Sequence, residues 1–73
     1  MPETTREMAH RHIIENDERI ARQQALIAAL LRSSQLRLLP TARKALGTMM
    51  ELQEIAKQCL QRIEEAEQLT HPE

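Results

Sequence analysis

The chain has 73 residues, with no Phe, Tyr or Trp, one Gly, one Cys and a formal net charge of −1. This length allows one small domain, and the lack of aromatic rings argues against a base-stacking nucleic-acid surface and a large shaped ligand pocket. No apolar signal core or membrane-spanning run is visible, and the lone Cys59 cannot form an internal disulfide. These features predict a soluble, cytoplasmic helical protein.

The first predicted helix runs from about residue 5 to residue 33. Its start is marked by a capping box, in which the Thr4 hydroxyl can accept from the Glu7 amide and the Glu7 side chain can reach back to the amide of Thr4. Cationic Arg32 suits the C-terminal end of a helix, and the two serines that follow it weaken continuation.

Isoleucines recur at seven-residue intervals along this helix, at Ile13, Ile20 and Ile27. The heptad pattern predicts a packing seam along this face. The alternate seam positions are Ala9, Asn16, Gln23 and Leu30. Asn16 and Gln23 leave two alternatives open, since polar seam residues either specify the register of packing or edge into solvent.

A bend is predicted over residues 34–40, between two helical runs of nearly equal length. Pro40 favours the first turn of a helix and disfavours helical geometry at the preceding Leu39. The second helix is therefore predicted over residues 41–69. The matched lengths favour a hairpin over the rival interpretation, a single long helix kinked at Pro40.

The second helix carries its own apolar pattern at spacings of three and four, which is typical of a coiled coil. The predicted seam contains Met49, Leu52, Ala56, Cys59, Ile63 and Ala66. In this seam Cys59 is expected to be a buried thiol that behaves as a small apolar residue. Gly47 falls on the far face, where contact with another subunit would explain a residue that weakens helices.

The predicted fold is therefore all-α, an antiparallel two-helix hairpin spanning residues 1–73 as one domain. Two helices bury little surface alone, so we expect hairpins to pair into a dimeric four-helix bundle. The residues predicted to carry packing and association are Ile13, Ile20, Ile27, Leu30, Met49, Leu52, Cys59, Ile63, Leu36 and Leu39.

The segment Glu18–Leu30 resembles a group of short helical proteins from rhizobial and related alphaproteobacterial genomes. Those proteins share a Glu-Arg-x-x-Arg-Gln-x-x-Leu-Ile motif and a Leu-x-Thr-Met-like segment, which Leu46–Met49 matches. This chain departs from them in its turn and in having no His in the second helix. The resemblance covers about two thirds of the chain; it implies a bacterial helical hairpin and brings no known activity.

Charge is strongly segregated along the sequence. Residues 19–50 contain six basic and no acidic residues, whereas the two flanking segments contain four basic and all eleven acidic residues. Folding into a hairpin would make a dipolar molecule with a basic bend and an acidic open end. Arg43 and Lys44 would also lie in the first turn of a helix, where the helix dipole disfavours cations.

Three interpretations of the basic bend stay open. It can pair with the acidic end of a second copy, it can bind an anion such as a nucleic acid or a lipid headgroup, or it can be a solvated surface without a partner. The candidate anion-binding residues are Arg32, Arg37, Arg43 and Lys44. Nucleic acid and membrane are the less favoured partners, because the charged groups are few.

Glu7 and His10 share a helix face, and Glu64 or Glu67 of an antiparallel helix would lie near them. Two such sets in a dimer would match the ligands of a di-iron bundle, but a site at a fraying helix end would be poorly shielded. We therefore expect no metal, no cofactor and no catalytic residues. The favoured function is a non-enzymatic protein-interaction or scaffold module that self-associates, with an unidentified protein as a further possible partner.

Overall fold

The computed structural model describes residues 2–70 and shows two long helices packed side by side. Helix α1 spans Thr5–Arg32 and helix α2 spans Leu39–Thr70, joined by a short bend that contains a 3-10 turn, Leu36–Leu38. Ile13 of α1 accepts a hydrogen bond from Gln53 in the middle of α2, and Arg6, nearer the start of α1, pairs with Glu67 near the end of α2, so the helices are antiparallel. The predicted all-α hairpin is confirmed, and the kinked single helix is excluded.

The start of α1 is capped by Thr4. Its hydroxyl oxygen accepts from the Glu7 amide at 3.1 Å, as the capping pattern predicts. The Glu7 carboxylate does not reach back to the amide of Thr4. It accepts instead from the Thr4 hydroxyl at 3.0 Å, so two hydrogen bonds between Thr4 and Glu7 close the first turn.

The end of α1 is a Schellman motif built on serine. Ser34 has a φ of 58°, the left-handed conformation that normally favours glycine. The Gln35 amide donates to the Leu30 carbonyl at 3.0 Å, and the Ser34 amide donates to the Leu31 carbonyl at 3.3 Å. The Ser33 hydroxyl donates to the Ala29 carbonyl at 2.9 Å. Together these bonds satisfy the last carbonyls of the helix and turn the chain sharply.

Helix α2 begins earlier than predicted. Leu39 has helical angles, φ −61° and ψ −44°, although it precedes Pro40. The prediction that Pro40 forces Leu39 out of helical geometry was wrong. Two features outweigh the steric preference: the Leu39 amide donates to the Leu36 carbonyl within the 3-10 turn, and the Leu39 side chain is only 6% exposed.

The apolar core lies at the bend end of the hairpin. Among the described residues, the buried apolar side chains are Leu30, Leu39 and Ala42, and Ile27 packs against them. The molecule measures 59 × 23 × 15 Å, so it is little thicker than one helix. Most apolar side chains can therefore be covered on one side only.

Two glutamines tie the helices together beyond this core. The Gln23 side-chain amide donates to the Ala42 carbonyl at 2.8 Å, so Gln23 takes the register-specifying role of the two alternatives. Gln53 is 4% exposed, and its amide nitrogen donates to the Ile13 carbonyl at 2.9 Å and to the Asp17 carboxylate at 2.7 Å. These bonds fix how far one helix is shifted along the other.

The predicted seam of α2 was wrong at three positions. Leu52, Cys59 and Ala66 are exposed rather than packed against α1. The seam instead runs through Gln53 and the half-buried Leu60, each one residue further along the helix. Three residues of the predicted seam, Met49, Ala56 and Ile63, are half-buried. The Gln53 tie therefore turns α2 by only part of the roughly 100° that separates neighbouring residues, away from the face that apolar content alone favours.

Candidate interaction surface

One side of the hairpin carries a shallow open groove between α1 and α2. Four exposed, mainly apolar residues dominate it, and we call this side the groove face: Met8, Leu52, Ile55 and Cys59. The remaining lining residues are Thr5, Ala9, His12, Glu15, Asn16, Arg19, Ala56 and Ile63. Leu52 and Ile55 are 54% and 59% exposed, which leaves most of their apolar surface in contact with water.

The groove face follows from heptad spacing on the two helices. On α2, small and apolar residues recur every seven positions beside the seam, at Ala45, Leu52, Cys59 and Ala66. Residues seven apart lie on nearly the same side of a helix. The corresponding row on α1 is mostly polar, with His12 and Arg19. The groove is therefore apolar along α2 and polar along α1.

The opposite side of the hairpin also exposes apolar residues, but they are scattered. Met50 is 53% exposed and Ile14 is 58% exposed. Met50 is nine residues before Cys59, which at about 100° per residue places the two on opposite sides of α2. Isolated exposed apolar residues are normal on a protein surface, so the groove face is the stronger candidate for a contact.

The predicted interface residues fall into two groups. Six of them lie inside the hairpin, where they are buried or half-buried: Ile13, Ile20, Ile27, Leu30, Leu39 and Met49. Leu52, Cys59 and Leu36 are exposed, and the half-buried Ile63 lines the groove. The first group holds the two helices together within one chain, and the second group is available to a second molecule.

The leucines of the bend also divide. Leu39 belongs to the core, whereas Leu36 and Leu38 are 58% and 49% exposed beside Arg37 in the 3-10 turn. This turn brings its apolar side chains and a cation to the tip of the molecule. Two of the three leucines of the bend, Leu36 and Leu38, therefore lie on the surface.

The four candidate anion-binding residues surround the bend. Arg32 ends α1, Arg37 lies in the 3-10 turn, and Arg43 and Lys44 lie near the start of α2; all four are exposed. Within residues 2–70 none of them has a carboxylate within ion-pair distance. The N-terminus of α2 itself offers an anion few amides, because Leu38 and Leu39 donate to Gln35 and Leu36 and Pro40 has no N–H.

The open end holds the ion pairs of the hairpin. Arg6 lies 3.5 Å from Glu67, and the His10 imidazole lies 3.9 Å from the Glu64 carboxylate, so both contacts join α1 to α2. The side chains of these pairs are each about half exposed. Such pairs are strongly screened by water and contribute little to stability.

The hypothetical metal ligands do not assemble into a site. Glu7 accepts from the Thr4 hydroxyl, and His10 faces Glu64 across the helix interface. Across the part of the chain that the structure describes, no group of three or more His, Cys, Asp or Glu side chains is arranged to hold a metal ion. The di-iron hypothesis therefore has no geometric support within one hairpin.

Two features of the surface escaped the sequence prediction. Gln53 was not recognised as a seam residue, although it lies seven residues after Leu46 and seven before Leu60. Met8 and Ile55 were not recognised as exposed surface. The Gln53 spacing could have revealed the register, and with it the side on which Leu52, Ile55 and Cys59 emerge.

Comparison with known proteins assigns no function to the chain. No protein-family model, curated protein or solved structure matches the chain. Neither helix, as far as the structure describes it, combines the length and apolar character that crossing a bilayer needs.

Proposed function

We propose that the chain is a non-enzymatic interaction module that acts by self-association: two hairpins pair through the groove face and form a four-helix bundle in the cytoplasm. The observation that carries the proposal is the set of exposed apolar side chains that α2 contributes to the groove face, led by Leu52 and Ile55. Each is more than half exposed in the single hairpin. Covering such a row with a second hairpin removes apolar surface from water, which is the main driving force for association.

The size of the core supports the same proposal. The buried apolar residues of the described chain are confined to the bend end, and one of the three is an alanine. The remainder of the interface consists of half-buried residues, two glutamine ties and exposed ion pairs. Small helical domains commonly gain the missing burial by assembling with a second copy.

Sedimentation equilibrium at micromolar concentration tests the proposal. We expect the unmodified protein to be a dimer and Leu52→Lys to shift it strongly toward monomer, because a charge would be buried in the contact. Met50→Lys is the matched control, since Met50 and Leu52 are on the same helix and are 53% and 54% exposed. A fully helical monomer for the unmodified protein, or equal effects of the two variants, would contradict the proposal.

A second candidate function is anion binding by the basic bend. It is favoured by the four exposed cations Arg32, Arg37, Arg43 and Lys44, none of which is ion-paired within the described residues. Binding to duplex DNA and to anionic vesicles at low and raised salt distinguishes this function, because phosphate contacts weaken steeply with salt. If neither DNA nor anionic vesicles bind at low salt, or if binding does not weaken when the salt is raised, this function is excluded.

A further inference from the structure

We infer that the two hairpins of the dimer are antiparallel, with the bend of one copy over the open end of the other and a two-fold axis crossing the groove face close to Leu52. This inference rests on the proposed self-association and adds its orientation, contact face and axis.

The charge boundary lies at one level of the hairpin. On α1 the sign changes between Glu18 and Arg19, and on α2 it changes between Met50 and Glu51. The hydrogen bond from Gln53 to Asp17 joins the helices next to both boundaries. Over the residues that the structure describes, the hairpin therefore divides across its length into a bend half with six basic and no acidic residues and an open half with four basic and ten acidic residues.

This division selects the orientation of a second copy. The formal charges of the two halves are +6 and −6 over the described residues, so an antiparallel arrangement places each basic half on an acidic half. A parallel arrangement would stack like charges on both halves. Opposite charges across an interface favour association, and like charges oppose it. The pattern therefore specifies a second copy of the same chain, reversed end for end.

The groove face carries groups that match under such a rotation. Glu15 and Arg19 both line the groove and lie two residues either side of Asp17, at the level of the Gln53 tie. A two-fold axis at this level brings Glu15 of each protomer near Arg19 of its partner, so the dimer contains two such pairs. On α2, the same axis brings Leu52 against its own copy, and it brings Cys59, seven residues later, against Ala45, seven residues earlier.

Disulfide cross-linking tests this geometry, since a disulfide requires Cα atoms within about 7 Å. In a Cys59→Ser background, we expect Leu52→Cys to form a covalent dimer readily on oxidation with diamide. Met50→Cys in the same background is the matched control, and it should stay monomeric on a denaturing gel because it lies on the opposite side of α2. In the chain that keeps Cys59, Ala45→Cys should yield a dimer linked between positions 45 and 59, identified by peptide mass mapping.

The outcomes separate this inference from the proposed function. If sedimentation shows a dimer but Met50→Cys links and Leu52→Cys does not, the contact face is wrong and self-association stands. If a dimer forms but no 45–59 link is found, the antiparallel alignment is wrong. If the unmodified protein is a monomer at micromolar concentration, both fail together.

Discussion

The two ends of the hairpin are held together by different forces. At the bend end, Leu30, Leu39 and Ala42 are less than 8% exposed, and the chain reverses through a hydrogen-bonded Schellman motif. At the open end, the helices meet through ion pairs between half-exposed side chains, such as Arg6 with Glu67. The bend end is therefore closed by apolar burial, and the open end by contacts that water can replace.

This difference separates stability from association. Apolar packing at the bend fixes the hairpin, and the glutamine ties in its middle fix the register. The apolar residues that the hairpin leaves uncovered on the groove face then become available to a second copy. Substitutions at the bend should mainly change folding, whereas substitutions on the groove face should mainly change assembly.

The largest effect on folding is expected at the bend. Leu39→Ala removes one of the two large side chains of the core and should lower the free energy of unfolding by about 2–4 kcal/mol, as in other core truncations. Urea unfolding followed by circular dichroism measures it. Leu36→Ala is the control, because Leu36 is 58% exposed. A loss below about 0.5 kcal/mol for Leu39→Ala, the range of ordinary surface substitutions, would contradict a core at this end.

The middle of the hairpin should respond to Gln53→Glu in a pH-dependent way. Both amide hydrogens of Gln53 point at acceptors, the Ile13 carbonyl and the Asp17 carboxylate, and its own oxygen has no partner among the described residues. A carboxylate there would face two acceptors, and we expect a loss of about 2–3 kcal/mol at neutral pH.

Protonation should reverse part of that loss. A neutral carboxyl can donate one hydrogen bond, so the folded variant binds this proton more tightly than the unfolded chain does. Its free energy of unfolding should therefore fall as the pH rises from about 4 to about 7. Gln53→Met, a neutral side chain of similar length, is the control: if the difference between the two variants is the same at both pH values, the assigned hydrogen bonds are wrong.

A smaller, stabilising effect is expected at the turn after α1. Ser34→Gly relieves the cost of a φ of 58° and should raise the free energy of unfolding by about 0.5–1 kcal/mol. Ser33→Gly, at a φ of −91°, relieves nothing and removes the hydroxyl bond to Ala29, so it should destabilise the chain. Thermal unfolding of the two variants measures whether their stabilities change in opposite directions. Equal shifts would show that the left-handed turn does not limit stability.

The smallest effect is expected at the open end. Arg6→Ala removes the pair with Glu67, whose side chains are 52% and 44% exposed, and should change stability by less than about 0.5 kcal/mol. Amide hydrogen exchange should also be faster in the first turns of α1 than around Leu30. A loss of more than about 1 kcal/mol in the free energy of unfolding for Arg6→Ala would show that ion pairs hold the open end more strongly than expected.

Much of the fold could be predicted from local sequence. The paired serines, Pro40 and two helical runs of matched length were the basis on which the antiparallel hairpin was predicted. The start of α2 could not be predicted from Pro40 alone, because the burial of Leu39 depends on a distant residue, Leu30, with which it shares the core.

The surface was harder to predict for a related reason. Helix α2 has two neighbouring rows of residues, one with Leu52 and Cys59 and one with Gln53 and Leu60, and apolar content favours the first. The structure uses the second, because the Gln53 amide finds two acceptors on α1. A hydrogen bond between residues 40 positions apart is not visible in the periodicity of either helix. The sequence prediction therefore placed Leu52 and Cys59 in the seam, whereas in the structure they lie on the groove face.

The salt dependence of dimerisation reports directly on whether opposite charges pair the two hairpins. Sedimentation equilibrium of the unmodified protein at low and at raised salt measures the dissociation constant of the dimer, and circular dichroism confirms that the helices stay intact. Antiparallel pairing of the basic bend half with the acidic open half predicts a dimer that weakens as salt rises. A helical monomer at every concentration, or a dimer that strengthens with salt, would contradict the account.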